Sequence, residues 1–197
     1  MRENIGAVQL FLIGFVVAVT LFVLSLPTVQ ANFAEILGLN SRYSSVKQAK
    51  KDPRTVERVK VSRAVDGDTI VLEDGRKIRY LNMDTPETVK ENTPIRCFGK
   101  EASHANADIV DRREILMVGD KEDTDKYGRE LRFVFLLGED TNRKEQSVNA
   151  WLVRKGYARV SIIKPNDTFA QTFRDLEREA KNQSIGVWGN CPKPFEE

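Results

Sequence analysis

Histidine and cysteine are nearly absent: His104 is the one histidine, and Cys97 and Cys191 are the two cysteines, in a chain of 197 residues. A metal site needing two imidazoles is thereby excluded, as is a zinc cage of four thiolates or of paired thiolates and imidazoles, so any metal must be held by oxygen. An excess of one charge is missing too, since 31 Lys and Arg face 29 Asp and Glu for a formal charge of +2. A broad basic nucleic-acid footprint is excluded, and a polyanion would be met by local clusters of cations with modest, salt-sensitive affinity. What remains, with 41% apolar and 30% charged residues, is the composition of a chain that packs a core, at a length suited to one ordinary domain with appendages.

Charge is missing altogether from residues 4–34, and 14 of the 20 residues at 7–26 are Val, Leu, Ile or Phe. Such a run can cross a bilayer, and those side chains contribute roughly −4 to −8 kcal/mol to insertion. Its length favours an uncleaved membrane anchor over a signal peptide cut near Ala31, where Pro27 and Val29-Gln30-Ala31 resemble a cleavage site. The charges beside the run, Arg2 and Glu3 before it and Glu35 and Arg42 after it, are too sparse to set the orientation of an anchor, so a position outside the cytoplasm is also argued from the cysteine pair. Residues 1–31 are thus the anchor or signal, 32–54 a linker with the basic run Lys47, Lys50, Lys51, Arg54, 55–192 the folded domain, and 193–197 a tail. In an exported domain two thiols can close a bridge, so a Cys97–Cys191 disulfide is expected over two independent buried thiols.

Val59-Lys60-Val61, Ile70-Val71-Leu72 and Ile78-Arg79-Tyr80-Leu81 read as a meander of three strands, with Asp74-Gly75 turning the second hairpin. Residues 83–98 hold Pro86 and Pro94 without periodicity and read as a functional loop. Ala102, Ala105 and Ile109 share a helical face, Ile115-Leu116-Met117-Val118 and residues 131–137 are two more strands, and residues 148–155 are a helix capped by Ser147 and ended by Gly156. An extended stretch follows at 157–163. A last helix carries the stripe Phe169, Phe173, Leu176, Ala180, started by a capping box at Thr168 and Gln171. The class is α+β, with a small barrel favoured over a doubly wound sheet.

Two acidic clusters stand out. Asp66-Gly67-Asp68-Thr69 joins two strands, where Gly67 permits a sharp bend, and Asp84-Thr85-Pro86-Glu87 opens the long loop. Alone, the first reads as a turn and the second fits a structural role as well as a functional one. On adjacent strands of a meander they would bring Asp68, Asp84 and Glu87 to one rim, where two carboxylates about 4 Å apart repel by about 4 kcal/mol at an effective dielectric constant of about 20. A divalent cation removes that cost, and carboxylate and carbonyl oxygens suit Ca²⁺ or Mg²⁺ rather than Zn²⁺. Arg79 and Arg129 beside such an ion are what phosphodiester hydrolysis needs, because guanidinium forks grip non-bridging oxygens and oppose growing charge.

The ordered segments DGDT, IRYLNMDTPE, FGKEAS, TDKYGR, VNAWLVRKGYARV and KPN resemble the staphylococcal nuclease (thermonuclease) family over roughly residues 56–189. The resemblance implies an OB-fold five-stranded barrel with three helices, and Ca²⁺-dependent endonucleolytic cleavage of single- or double-stranded DNA and of RNA that leaves 3′-phosphates. Carried across, Asp68 and Asp84 are the metal carboxylates, Thr85 a backbone-carbonyl ligand, Asp66 a nearby acid, and Glu87 the general base. Arg79 and Arg129 are the phosphate-binding pair, and Lys126 and Tyr127 contact a terminal phosphate. The chain departs from the pattern before Lys164-Pro165-Asn166, where Ser161 and Ile163 replace two tyrosines, and each lost aromatic removes about 1–3 kcal/mol of base stacking. Cys97 and Cys191 also lie outside the pattern. His104 reads as a surface residue, and Trp151 and Trp188 as packing. The expectation is an exported monomeric nuclease; the rivals are a non-catalytic OB-type nucleic-acid-binding module and a membrane adaptor.

Overall fold

The computed structural model describes residues 52–88 and 96–195, all within the second of the chain's two units, Asp52–Glu197. The uncharged run at 7–26 lies outside the described residues, and among the described ones no helix is long and apolar enough to cross a membrane.

Strand β1 (Glu57–Ala64) pairs with β2 (Thr69–Leu72), which turns at Gly75 into β3 (Lys77–Tyr80). The turn needs a glycine, for Gly75 has φ 88° and its N–H donates to the Leu72 carbonyl at 3.0 Å; a side chain there would be strained. A two-residue strand β4 (Met83–Asp84) leads towards helix α1 (Gly99–Val110), and β5 (Glu114–Val118) and β6 (Glu130–Leu136) follow. The barrel closes in the order β1-β2-β3-β6-β5. Its pairings are antiparallel except β3 with β6, which run parallel. This is the expected five-stranded OB-type barrel, meander first.

Alternation along β1 to β3 and β5 turns Val61, Ile70, Leu72, Ile78, Tyr80, Ile115 and Met117 inward, each essentially without solvent exposure. Strand β6 is buried throughout residues 131–135, because helices cover its outer face. Phe133 meets Phe169 edge-on at 5.5 Å and Phe173 at 5.8 Å between ring centroids. Phe169 lies just before helix α3 (Ala170–Asn182) and Phe173 within it. Helix α2 (Val148–Arg154) starts at Ser147, whose hydroxyl accepts from the Ala150 N–H. A one-turn helix, α4 (Val187–Asn190), follows α3.

Two local expectations are corrected. The capping box at Thr168 does not form: α3 begins after Phe169 with no side-chain cap, and the Thr168 hydroxyl donates to Asp120 Oδ1 at 2.7 Å. Asp120 is 5% exposed, and a buried carboxylate without donors costs more than an uncapped helix end. Of the extended stretch 157–163 only β7 (Arg159–Val160) forms a ladder, pairing with β4. The expected disulfide is present, joining Cys97 and Cys191 with Cα atoms 6.0 Å apart. His104 is exposed, and Trp151 stacks on Tyr157 at 5.7 Å.

Candidate active site

Strand register brings the two acidic clusters together. Thr69 lies opposite Arg79 in the β2–β3 ladder, and the Tyr80 N–H donates to the Asp68 carbonyl at 2.9 Å. The turn before β2 is thereby pinned to the end of β3, four residues ahead of Asp84 in the chain. Asp66 Oδ1 closes the turn by accepting from the Asp68 N–H at 3.0 Å, and Asn106 of α1 donates to the Asp66 carbonyl at 2.8 Å. Gly67 is not needed for a left-handed bend. It is needed because a Cβ there would lie 2.6 Å from Thr85 Cγ2. That closeness lets Asp68 Oδ2 accept from the Thr85 N–H at 3.1 Å and from its hydroxyl at 3.2 Å.

The result is a polar cavity of about 220 Å³ lined by Asp66, Asp68, Arg79, Asp84, Thr85, Pro86, Glu87, Thr88 and Arg129. Arg79, 9% exposed, reaches between the metal-ligand candidates, pairing with Asp68 and donating through Nη2 to Asp84 Oδ1 at 2.9 Å. Burial lowers its pKa, against Asp84, while Arg129 adds to the lowering; a guanidinium nonetheless stays charged in water. Burial pushes the Asp66 carboxyl upward, opposed by Arg79 and assisted by Glu87. Glu87 Oε1 accepts from the Thr88 N–H at 3.1 Å. The structure thus gathers Asp66, Asp68, Arg79, Asp84, Thr85, Glu87 and Arg129 around one space.

Lys126 and Tyr127 line a second, larger space of about 610 Å³ with Glu122, Thr124, Asp125, Arg129 and Ile163. Arg129 is common to both cavities. Tyr127 is 72% exposed, with Lys126 Nζ 5.0 Å and the Arg129 guanidinium 5.5 Å from its ring centroid. Ile163, where this chain departs from the tyrosine of the family pattern, lines this second cavity.

Three residues that hold the site or the loop beside it went unread in the sequence. Asp125 Oδ1 accepts from the backbone N–H groups of Tyr127 and Arg129, and Oδ2 from Arg129 Nε at 2.8 Å. Burial raises the Asp125 pKa, but these hydrogen bonds outweigh it and leave the carboxyl below its ordinary value. Arg132, 4% exposed, ties the neck of the same loop through Asp123 and Glu130. Arg159 donates from Nε and Nη2 to Asp84 Oδ2 at 3.0 and 2.9 Å. The turn-like string Thr124-Asp125-Lys126-Tyr127-Gly128 hinted at Asp125; nothing local marked Arg132 or Arg159.

The donor set fits a hard divalent cation. Four carboxylates and two guanidinium groups line the smaller cavity, a formal excess of two negative charges. Asp68 and Asp84 already converge on one cation, the Arg79 guanidinium. Among the described residues no group of three or more His, Cys, Asp or Glu is disposed to hold a metal ion.

Residues 77–190 match the model of a family described as Staphylococcal nuclease homologue. Endonuclease YncB of Bacillus subtilis (strain 168) is 38% identical over 143 residues, which cover 70% of this chain and 64% of that protein. The thermonuclease of Staphylococcus intermedius is 36% identical over 131 residues, 65% of this chain and 74% of the relative. That of Staphylococcus hyicus is 35% identical over 134 residues, 66% of this chain and 75% of the relative. The match thus spans just under two thirds of the length of YncB and about three quarters of each thermonuclease.

Proposed function

Because the chain belongs to the staphylococcal nuclease homologue family, we propose that it is an exported, Ca²⁺-dependent endonuclease that hydrolyses DNA and RNA to 3′-phosphate products. The observation that most supports this is one cavity lined by Asp68, Asp84 and Glu87 together with Arg79 and Arg129. A bare OB-type binding module would have no use for that collection of buried charge, whose desolvation is costly.

Asp68, Asp84 and the Thr85 carbonyl would hold the Ca²⁺, with Asp66 beside them. The ion, when bound, supplies charge that offsets the phosphate and lowers the pKa of water near it. Glu87 accepts a proton from the attacking water, which adds to phosphorus on the side opposite the 5′-oxygen. Such base catalysis contributes roughly 10²–10⁴-fold. Arg79 and Arg129 bind the non-bridging oxygens and strengthen their hold as negative charge grows there, and the P–O5′ bond then breaks. The 5′-oxygen leaves as a hydroxyl after taking a proton from solvent water, Glu87 later returning its own proton to solvent, and the phosphate stays on the 3′ side. Lys126 and Tyr127, in the adjoining cavity, suit a neighbouring phosphate. The apolar wall of Ile163 there stands in place of an aromatic stacking face, so nucleotide binding should be weaker or differently shaped.

Export is supported by the uncharged run of residues 4–34 and by the disulfide. We assign residues 1–31 to an anchor or signal, 55–192 to the catalytic domain, and a monomeric state to the whole. The test is cleavage of single-stranded DNA by the full chain, with Ca²⁺ or with chelator, beside Glu87→Gln and Arg129→Ala. Cleavage by the parent protein in Ca²⁺, lost with chelator and reduced at least 100-fold in both variants, is expected. An intact substrate throughout overturns the proposal, and retardation of the same DNA would then identify a binding module.

A further inference from the structure

The Asp84 carboxylate is shared between two arginines of different standing. Arg79, on β3 and buried, takes Oδ1 at 2.9 Å. Arg159, on β7 with a side chain 42% exposed, takes Oδ2 through Nε and Nη2. The pairing is dictated by the ladder, in which Asp84 lies directly opposite Arg159. Beside Arg159 lies a pair of tilted aromatic rings from the C-terminal segment. Its guanidinium lies 5.1 Å from the Phe195 ring centroid, Phe195 lies 5.4 Å from Trp188, and Lys181 Nζ sits 4.4 Å over Trp188. Cys191, between Trp188 and Phe195, is bonded to Cys97. The family match ends at residue 190, so Cys191 and Phe195 stand beyond it.

We propose that Arg159 is a third phosphate-binding arginine of this site, held by Phe195 and drawing on the same Asp84 carboxylate as a divalent cation. The proposal rests on the reading of Asp84 as a cation ligand. A guanidinium within hydrogen-bond distance of that carboxylate opposes a second cation there by direct repulsion and by occupying acceptor positions on Oδ2. When a cation draws Asp84 away, the part-exposed Arg159 is left with donors released from the carboxylate and with Phe195 still beside its guanidinium. A planar fork in that position suits a phosphate oxygen of the nucleic acid. The aromatic face keeps the guanidinium from the many rotamers an exposed arginine would otherwise sample, which lowers the entropy lost on binding. Arg159 thus exchanges one anion for another, carboxylate for phosphate, as the cation arrives.

The signature is two affinities that move in opposite directions, which a structural role would not produce. Calorimetric titration of the full chain with Ca²⁺ should show Arg159→Met binding the ion at least threefold more tightly, and about tenfold if the repulsion is only partly screened. Binding of a cleavage-resistant phosphorothioate oligonucleotide in saturating Ca²⁺ should weaken at least threefold, with the salt dependence of affinity reduced by about one phosphate contact. Arg159→Lys, which keeps the charge, should fall between. Phe195→Ala should shift both affinities in the same senses by a smaller amount, and it decides the matter if Arg159→Met does not fold. Unchanged Ca²⁺ affinity, or two affinities that fall together, overturns the proposal while leaving the nuclease reading intact. A parent protein that binds no Ca²⁺ overturns both.

Discussion

Gly67 lies so close to Thr85 that a methyl group at position 67 would meet Thr85 Cγ2 at 2.6 Å and Oγ1 at 2.7 Å. The threonine cannot retreat freely, because its N–H and hydroxyl are both donated to Asp68. Gly67→Ala is expected to cost about 1–3 kcal/mol of stability through overpacking and to reduce cleavage by displacing Asp68. Urea unfolding in a double-mutant cycle with Thr85→Gly, which removes all three side-chain atoms that the added methyl would meet, should give a favourable coupling above about 0.5 kcal/mol. Additive losses would show that the contact is not the cause.

The bridge between Cys97 and Cys191 closes a loop with a sequence separation of 94. A loop of this length restricts the unfolded chain strongly, and its removal is expected to cost about 2–5 kcal/mol. The paired replacement Cys97→Ser with Cys191→Ser should lower the melting temperature by roughly 5–15 °C, and reductant should do the same to the parent protein. A melting point that is indifferent to both would mean that the bridge constrains little.

Asp125 fixes Arg129 by accepting from its backbone N–H and from its Nε. Asp125→Asn keeps the size and loses the charge, so Arg129 should point less reliably at the phosphate. We expect kcat to fall about 10- to 100-fold, the scale of a catalytic group misplaced by about an ångström, with KM changing less and the circular-dichroism spectrum not at all. Equal loss in Arg129→Ala and in the double variant would place both residues in one unit; multiplied losses would separate them.

Lys144 is 6% exposed, with Nζ 5.7, 5.4 and 5.2 Å from the ring centroids of Phe133, Phe135 and Phe169. Burial lowers its pKa, with Asp120, Asp140 and Glu145 opposing. The unfolded chain therefore holds the proton to higher pH than the folded one. Stability rises with pH wherever the unfolded state binds more protons, here from the depressed folded value up to about 10.4. The unfolding free energy of the parent protein minus that of Lys144→Met should accordingly climb between pH 8 and 10, read by urea titration at each pH. A flat or falling difference would show that the amine is not depressed.

Much of the barrel was legible from short-range pattern. Alternation in Ile70-Val71-Leu72 and Ile78-Arg79-Tyr80 marked strands, and Asp74-Gly75 marked the hairpin, because a two-fold side-chain period and a left-handed turn residue are local properties. The capping box at Thr168 misled for the opposite reason. Its local chemistry was sound, but a buried carboxylate 48 residues away claimed the hydroxyl.

The sequence by itself determined which atoms are available: oxygen ligands and guanidinium groups instead of imidazole and thiolate, a run without charge at residues 4–34, and two thiols fit for one bridge. These follow from composition and from the order of a few segments, and no folding is needed to read them. The tertiary structure decided which of those groups meet. Arg159 reaches Asp84 across 75 positions of chain, and Arg79 sits between Asp68 and Asp84. Such pairings depend on strand register, where a slip of one residue turns every side chain to the opposite face. Register is set by the closure of the whole barrel and by what its core will bury, a property that no short stretch of sequence carries.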